Sequence, residues 1–200
     1  MNIAVFASGN GTNFQAMIDR VKDGYIPAKI ALLVSDNEDA HAIERARKAG
    51  VETFVLKPKG FKTREDYDKA IVKKLREKEI GLVVLAGFMR LMSPYFVNEF
   101  KEKVLNIHPA LLPSFKGTDG AGEALRYGVK VTGPTVHFVD EKLDHGPIIL
   151  QEAVSVSDDD TEESLHQKIH EKEYEIYPKA VKLFVEDKLK IEGRRVRIKR

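Results

Sequence analysis

The sequence predicts an α/β protein with a mostly parallel central sheet, antiparallel strands toward the carboxyl end, and helices on the flanks. Three observations point there. Over residues 1–100, short β-branched, apolar runs alternate with segments of helical period, the pattern of βαβ units. A glycine-rich turn joins the first run to the first helical segment. Later, two strand-like segments, VTGPTVHFVDE and PIILQEAVSVS, are joined by the short return KLDHG.

The first strand is NIAVFA. In NFQAMIDRVKDG, which follows, Phe14, Met17, Ile18 and Val21 mark one helical face. KIALLVSD is the second strand, and EDAHAIERARKAG the second helix, with Gly50 as its stop. VETFVL is the third strand. TREDYDKAIVKKLREKE then predicts a charged surface helix that offers Ile71, Val72 and Leu75 to the core. IGLVVLA is apolar on both faces, which places it centrally in the sheet. A short helix falls within FMRLMSPYFVNEF, ahead of a strand ending in NIHP, and Gly117, Gly120 and Gly122 loosen the chain before EALRYG. Asp160 and Glu163 make a capping-box-like start for the last helix, residues 161–186, interrupted by Pro178. The final GRRVRIKR reads as a solvated tail or edge strand. The organisation expected is one domain, 1–200, with a phosphate-binding βαβ half at 1–100 and a catalytic half at 101–200.

Composition narrows the function classes. Of the 200 residues, 42% are hydrophobic and 32% charged, as in soluble globular chains, and no apolar run approaches the roughly 18 residues of a membrane span. The start, MNIAVFA, carries neither a basic leader nor a cleavage pattern, so a cytoplasmic location is expected. Zero cysteines exclude disulfides, thiolate metal sites and thiol catalysis. A net charge of +2 gives no drive toward nucleic acid.

Two motifs carry chemistry. ASGNGTNF opens the first helix, where backbone N–H groups and the helix dipole favour an anion. The dinucleotide fingerprint fails at Phe14 and the Walker loop fails at Thr12, which leaves a pocket of Gly11, Thr12 and Asn13 sized for one phosphate, or a glycine turn without a ligand. In NIHP, strand alternation aims Asn106 and His108 at one face, and Pro109 ends the strand with the imidazole at its mouth. An amide and an imidazolium directed at one point suit a developing oxyanion; the ordinary alternative is that both satisfy nearby backbone. Ser114 lacks a nucleophile elbow, so the expectation is direct attack on a bound substrate, with His108 donating a proton. Asp144, in KLDHG, is the carboxylate expected to favour a charged His108, unless it is a simple turn aspartate. Glu173 falls within the buried seam of the last helix, as a donor-binding carboxylate or a snorkelling edge residue. His166 and His170 have metal-pair spacing without an evident third ligand, and no metal is expected. His137 is read as supporting the site around His108.

NIAVFASGNGTNFQAMID, LVVLAGFMRLMSP, NIHPALLPSFKG, GVKVTGPTVHFVDEKLDHGPIILQEAV and the EIYP element together resemble, in order and over nearly the whole chain, the glycinamide ribonucleotide formyltransferases. The resemblance implies a Rossmann-like formyltransferase fold and transfer of a formyl group from 10-formyltetrahydrofolate to the amine of 5-phosphoribosylglycinamide in purine biosynthesis, without metal. It implies catalytic roles for Asn106, His108 and Asp144, and a substrate site of Gly11, Thr12, Asn13 and Glu173. It further implies a folate site of Arg64, Met89, Arg90, Leu91, Met92, Asn106 and the loop from Asp140 to Asp144, in a monomer or homodimer whose partners are these small molecules. Many members place a histidine where Asp119 stands, so no second relay histidine is expected in that loop, and its extra glycines suggest a mobile lid. The rival readings are a formyltetrahydrofolate hydrolase and a non-catalytic phosphate-ligand binding module.

Overall fold

In the computed structural model of the chain, residues 1–199 are described, in two compact units, one from Met1 to Leu105 and one from Asn106 onward. The first unit runs β1 (Asn2–Phe6), α1 (Thr12–Lys22), β2 (Lys29–Ser35), α2 (His41–Ala49), β3 (Thr53–Val55), α3 (Arg64–Glu77), β4 (Ile80–Leu85) and α4 (Pro94–Glu99). Its strands lie in the order β4-β1-β2-β3, all parallel. The predicted stop at Gly50 holds. Gly50 ends α2 in the left-handed region at φ 68, and the Thr63 side chain caps α3 by accepting from the Asp66 N–H at 3.0 Å. β4 is buried at every position but Gly81, as its continuous apolar run requires. The chain winds from β1 toward β2 and β3 and returns to β4 on the other side of β1. The order therefore reverses beside β1, whose carboxyl end carries the glycine turn.

β5 (Val104–His108) crosses from the first unit into the second. The second unit continues with α5 (Gly120–Tyr127), β6 (Val131–Thr132), β7 (Thr135–Phe138), β8 (Ile148–Gln151), β9 (Val154–Ser155), α6 (Glu162–Val185), β10 (Leu189–Glu192) and β11 (Arg195–Ile198). β7 and β8 pair antiparallel, as the KLDHG return implied. Each of the two predicted segments is nevertheless broken in two. Gly133, at φ 142, passes so close to Glu152 that an added Cβ would sit 2.0 Å from its carbonyl oxygen, and Pro134 offers no N–H; β6 and β9 accordingly form a separate ribbon.

Two further readings change. GRRVRIKR is neither tail nor edge: β11 pairs with β10 on one side and meets β8 on the other, through Arg195 and Ile148, so β10 is the edge strand. The cap of α6 is Thr161, one residue past the predicted Asp160, in a reciprocal box with Ser164, while Asp160 accepts from the Ser164 hydroxyl and from Lys168, each at 2.7 Å. Pro178 does not interrupt α6. A proline costs one backbone bond, but Tyr177, Pro178, Ala180 and Val181 are all buried, and packing of that face carries the helix through. Leu165 and Ile169 of α6 pack with Ala121 and Val154 as a core of this unit.

Candidate active site

In the first unit the glycine turn is held rigidly from behind. Gly11 caps α1 in the left-handed region, φ 67, and its carbonyl accepts from the Gln15 N–H at 2.9 Å; no side chain caps the helix and its first turn holds no acid. A Cβ at Gly11 would lie 2.7 Å from that of Ala42, so both conformation and space demand glycine. Arg45 donates from Nε to the Asn10 carbonyl at 2.8 Å and from Nη1 to the Gln15 side-chain oxygen at 3.2 Å, which sets a guanidinium against the turn. Ser8 links this turn to the 87–92 segment: its hydroxyl donates to Asp36 at 2.6 Å and accepts from the Met89 N–H at 3.0 Å. That segment exposes Met89 and Leu91, anchors the Arg90 guanidinium 4.8 Å over the Tyr67 ring, and ends where buried Asp68 accepts from the Ser93 N–H at 2.6 Å. Met92 is half-buried, and Arg64 stands exposed at the start of α3.

In the second unit the end of β5 meets the β7–β8 loop. Asn106 and His108 do share a face. The Asn106 amide nitrogen lies 3.3 Å from His137 Nε2, and His137 Nδ1 donates to the Phe138 carbonyl at 2.8 Å. Asp144 sits between the two histidines, with Oδ1 3.7 Å from His137 Nε2 and Oδ2 3.5 Å from His108 Nδ1. Its Oδ2 also accepts from the Gly117 N–H at 2.9 Å. His108 Nε2 donates to the Phe115 carbonyl at 2.6 Å, and Gly120 passes beneath so closely that an added Cβ would be 2.8 Å from that nitrogen. Both ring nitrogens therefore face acceptors within the unit, and the imidazole is 3% exposed, rather than open to a ligand as the NIHP pattern alone suggested.

Burial dominates the electrostatics. It pushes the His108 imidazole below its usual range, against the raising influence of the Asp144 carboxylate and the Phe115 carbonyl, so the ring is mostly neutral near pH 7. Asp144 does act in the expected direction, but desolvation outweighs it. Asp144 itself is pushed up by burial, yet contacts from His137, the Gly117 N–H and His108 outweigh this and hold its carboxyl below the ordinary carboxylate range. Asp144 also adopts a left-handed backbone at φ 44, a conformation costing a non-glycine residue about 1–3 kcal/mol and one that surrounding contacts must enforce.

The formyl transferase family model matches residues 1–181. The chain belongs to the formyl transferase family. This formyl transferase is 45% identical over 179 residues to the phosphoribosylglycinamide formyltransferase of Bacillus subtilis (strain 168), covering 90% of this chain and 92% of that one. It is 41% identical over 191 residues to the phosphoribosylglycinamide formyltransferase of Escherichia coli (strain K12), covering 96% and 90%. Among solved structures, glycinamide ribonucleotide transformylase 1 from Symbiobacterium toebii superposes with a TM-score of 0.98 at 46% identity, over 100% of this chain and 94% of that one. The fold is thus the α/β formyl transferase fold with a mostly parallel sheet and antiparallel carboxyl-terminal strands.

The remaining expected residues of this formyl transferase are accounted for separately. Glu173 is 4% exposed, with His170 Nε2 4.0 Å away. Asp140 is half-buried and bonded to His145 Nδ1 at 2.7 Å. Among the described residues, Asp119, Glu162 and His166 bring ligand atoms within 4.8 Å of one another, but Arg126 already donates to Asp119 at 2.6 Å and opposes a cation there. Ser8, Arg45 and the Phe115 and Gly117 backbone groups were missed by sequence reasoning. Only Ser8, inside the glycine motif, carried a signal. No helix among the described residues is long and apolar enough to cross a membrane.

Proposed function

We propose that the chain is a phosphoribosylglycinamide formyltransferase of purine biosynthesis, moving the formyl group of 10-formyltetrahydrofolate to the primary amine of 5-phosphoribosylglycinamide by direct attack. The observation that carries this reading is the cluster of half-buried Asn106 with buried His137, Asp144 and His108 at the end of β5, in a chain whose relatives bear that activity in their names. Gly11, Thr12 and Asn13 take the phosphate and Glu173 the ribonucleotide, while Arg64, the Met89–Met92 segment, Asn106 and the Asp140–Asp144 loop take the folate. The attacking nitrogen becomes cationic as it bonds to the formyl carbon, and the Asn106 amide N–H₂ donates to the oxyanion that forms. His108, neutral at working pH, accepts the proton shed by that nitrogen and donates it to the leaving folate nitrogen as the carbon–nitrogen bond breaks. Its Nε2 must first leave the Phe115 carbonyl.

The deciding experiment mixes purified protein with 10-formyltetrahydrofolate, with and without the amine-bearing ribonucleotide, and follows the one-carbon unit. Formylated product only when the amine is present is the expected result. Formate released without amine would make the chain a hydrolase, and binding without turnover would make it a binding module.

Two variants test the parts. Gly11→Ala forces a left-handed alanine against Ala42, and should raise KM for the ribonucleotide about 10-fold or more with a smaller effect on kcat, because phosphate anchoring contributes to ground and transition states alike. In Asp144→Asn, His108 loses the carboxylate that raises its pKa. Its neutral form then persists to lower pH, and the acidic limb of the kcat–pH profile should move to lower pH while the plateau falls. An unmoved limb would remove Asp144 from the proton path.

A further inference from the structure

The family match ends at residue 181, whereas the β10–β11 hairpin lies at 189–198. Arg194, in its turn, reaches back 49 positions: Nη1 donates to the His145 carbonyl at 2.6 Å and lies 3.3 and 3.4 Å from Nδ1 and Nε2 of the His145 ring. His145 Nδ1 in turn bonds Asp140 Oδ2 at 2.7 Å, and Asp140 Oδ1 accepts from the Lys142 N–H at 2.9 Å. The two ends of the 140–145 loop are thereby tied together, and the tie is bolted to the hairpin. The residue immediately before His145 is Asp144, held in a strained left-handed conformation with its carboxylate toward both buried histidines. The Gly117 N–H also secures that carboxylate, on Oδ2.

We propose that Arg194 is a positioning residue for formyl transfer: by clamping His145 and, through it, Asp140, it holds Asp144 in the backbone conformation that directs its carboxylate at His108. The proposal rests on the formyl transfer reading above. Charge supports it as well. Burial pushes the Asp140 carboxyl up, but His145, the Lys142 N–H and Arg194 together hold it below its usual range, so Asp140 stays a carboxylate across neutral pH. Arg194 touches no reacting group. Its effect is expected on geometry alone, where a small misplacement of a catalytic group is costly.

The test compares wild type, Arg194→Ala, Arg194→Lys and, on the same hairpin but paired with Glu192 at 2.9 Å, exposed Lys190→Ala. Expected for Arg194→Ala are a kcat lower by about 10-fold, KM values changed less than about 3-fold, and an acidic limb moved to lower pH as His108 loses part of its carboxylate. Arg194→Lys keeps one donor for the His145 carbonyl and should recover most of kcat; Lys190→Ala should match wild type. In parallel, NMR titration of the His108 imidazole should show a lower pKa in Arg194→Ala than in wild type. Wild-type kcat and an unmoved His108 titration in Arg194→Ala would overturn the proposal, as would equal losses in Lys190→Ala. A wild-type protein without transferase activity would sink the functional reading instead, and the NMR arm would still decide the clamp.

Discussion

Replacing His108 with alanine is expected to lower kcat by about 10²-fold or more while leaving both KM values within a few-fold. The variant loses the imidazole that shares the Asn106 face at the end of β5, and with it the path from the attacking nitrogen to the leaving one. Asn106 keeps its amide, so oxyanion stabilisation survives and residual turnover remains. The cavity left behind is lined by the Phe115 carbonyl and Asp144 Oδ2, both of which bonded or faced the ring. Added imidazole should therefore restore part of kcat, a result that lost packing alone would not give. Steady-state kinetics with each substrate varied in turn reads the outcome. A raised KM with kcat intact would make His108 a binding group and end its part in proton movement.

The second large effect is expected at Gly146. A Cβ there would lie 1.7 Å from the Phe138 carbonyl oxygen and 2.6 Å from its carbon, both backbone atoms of β7 that cannot rotate away. Gly146→Ala must push the loop off the strand, at a cost of about 3 kcal/mol, which corresponds to a fall in Tm of roughly 6–12 °C for a chain of this size. Asp144 lies two residues upstream and should move with the loop, so the folded fraction should also lose kcat. Thermal unfolding and kcat measured on the same preparation check both. Wild-type stability would show that the loop accommodates the methyl by a path these contacts do not indicate.

Those two positions were not equally legible. His108 was readable because its information is local: strand alternation places it with Asn106, and Pro109 ends the strand at its carboxyl end. Gly146 was only one letter of a short return. What fixes it is the approach of Phe138 from the opposite strand, a distance that no local pattern encodes. Asp144 falls between, since its place in the turn was legible but its contact with both His108 and His137 was not. Helix ends behaved likewise: the Gly50 stop followed from short-range cap chemistry, whereas the α6 cap shifted from Asp160 to Thr161 because Lys168 and Ser164 both engage Asp160.

By itself the sequence determined the alternation of strands and helices, the glycine turn beyond β1 and the residue types available for proton transfer, because periodicity, capping and turn chemistry act over a few neighbouring residues. Tertiary structure alone decided the state of those groups. It buried His108 until desolvation outweighed the pull of Asp144, gave both ring nitrogens acceptors, carried α6 through Pro178, and brought Arg194 onto His145 from 49 positions away. Desolvation and long-range packing depend on which distant residues share a volume, and that is set only once the whole chain has folded.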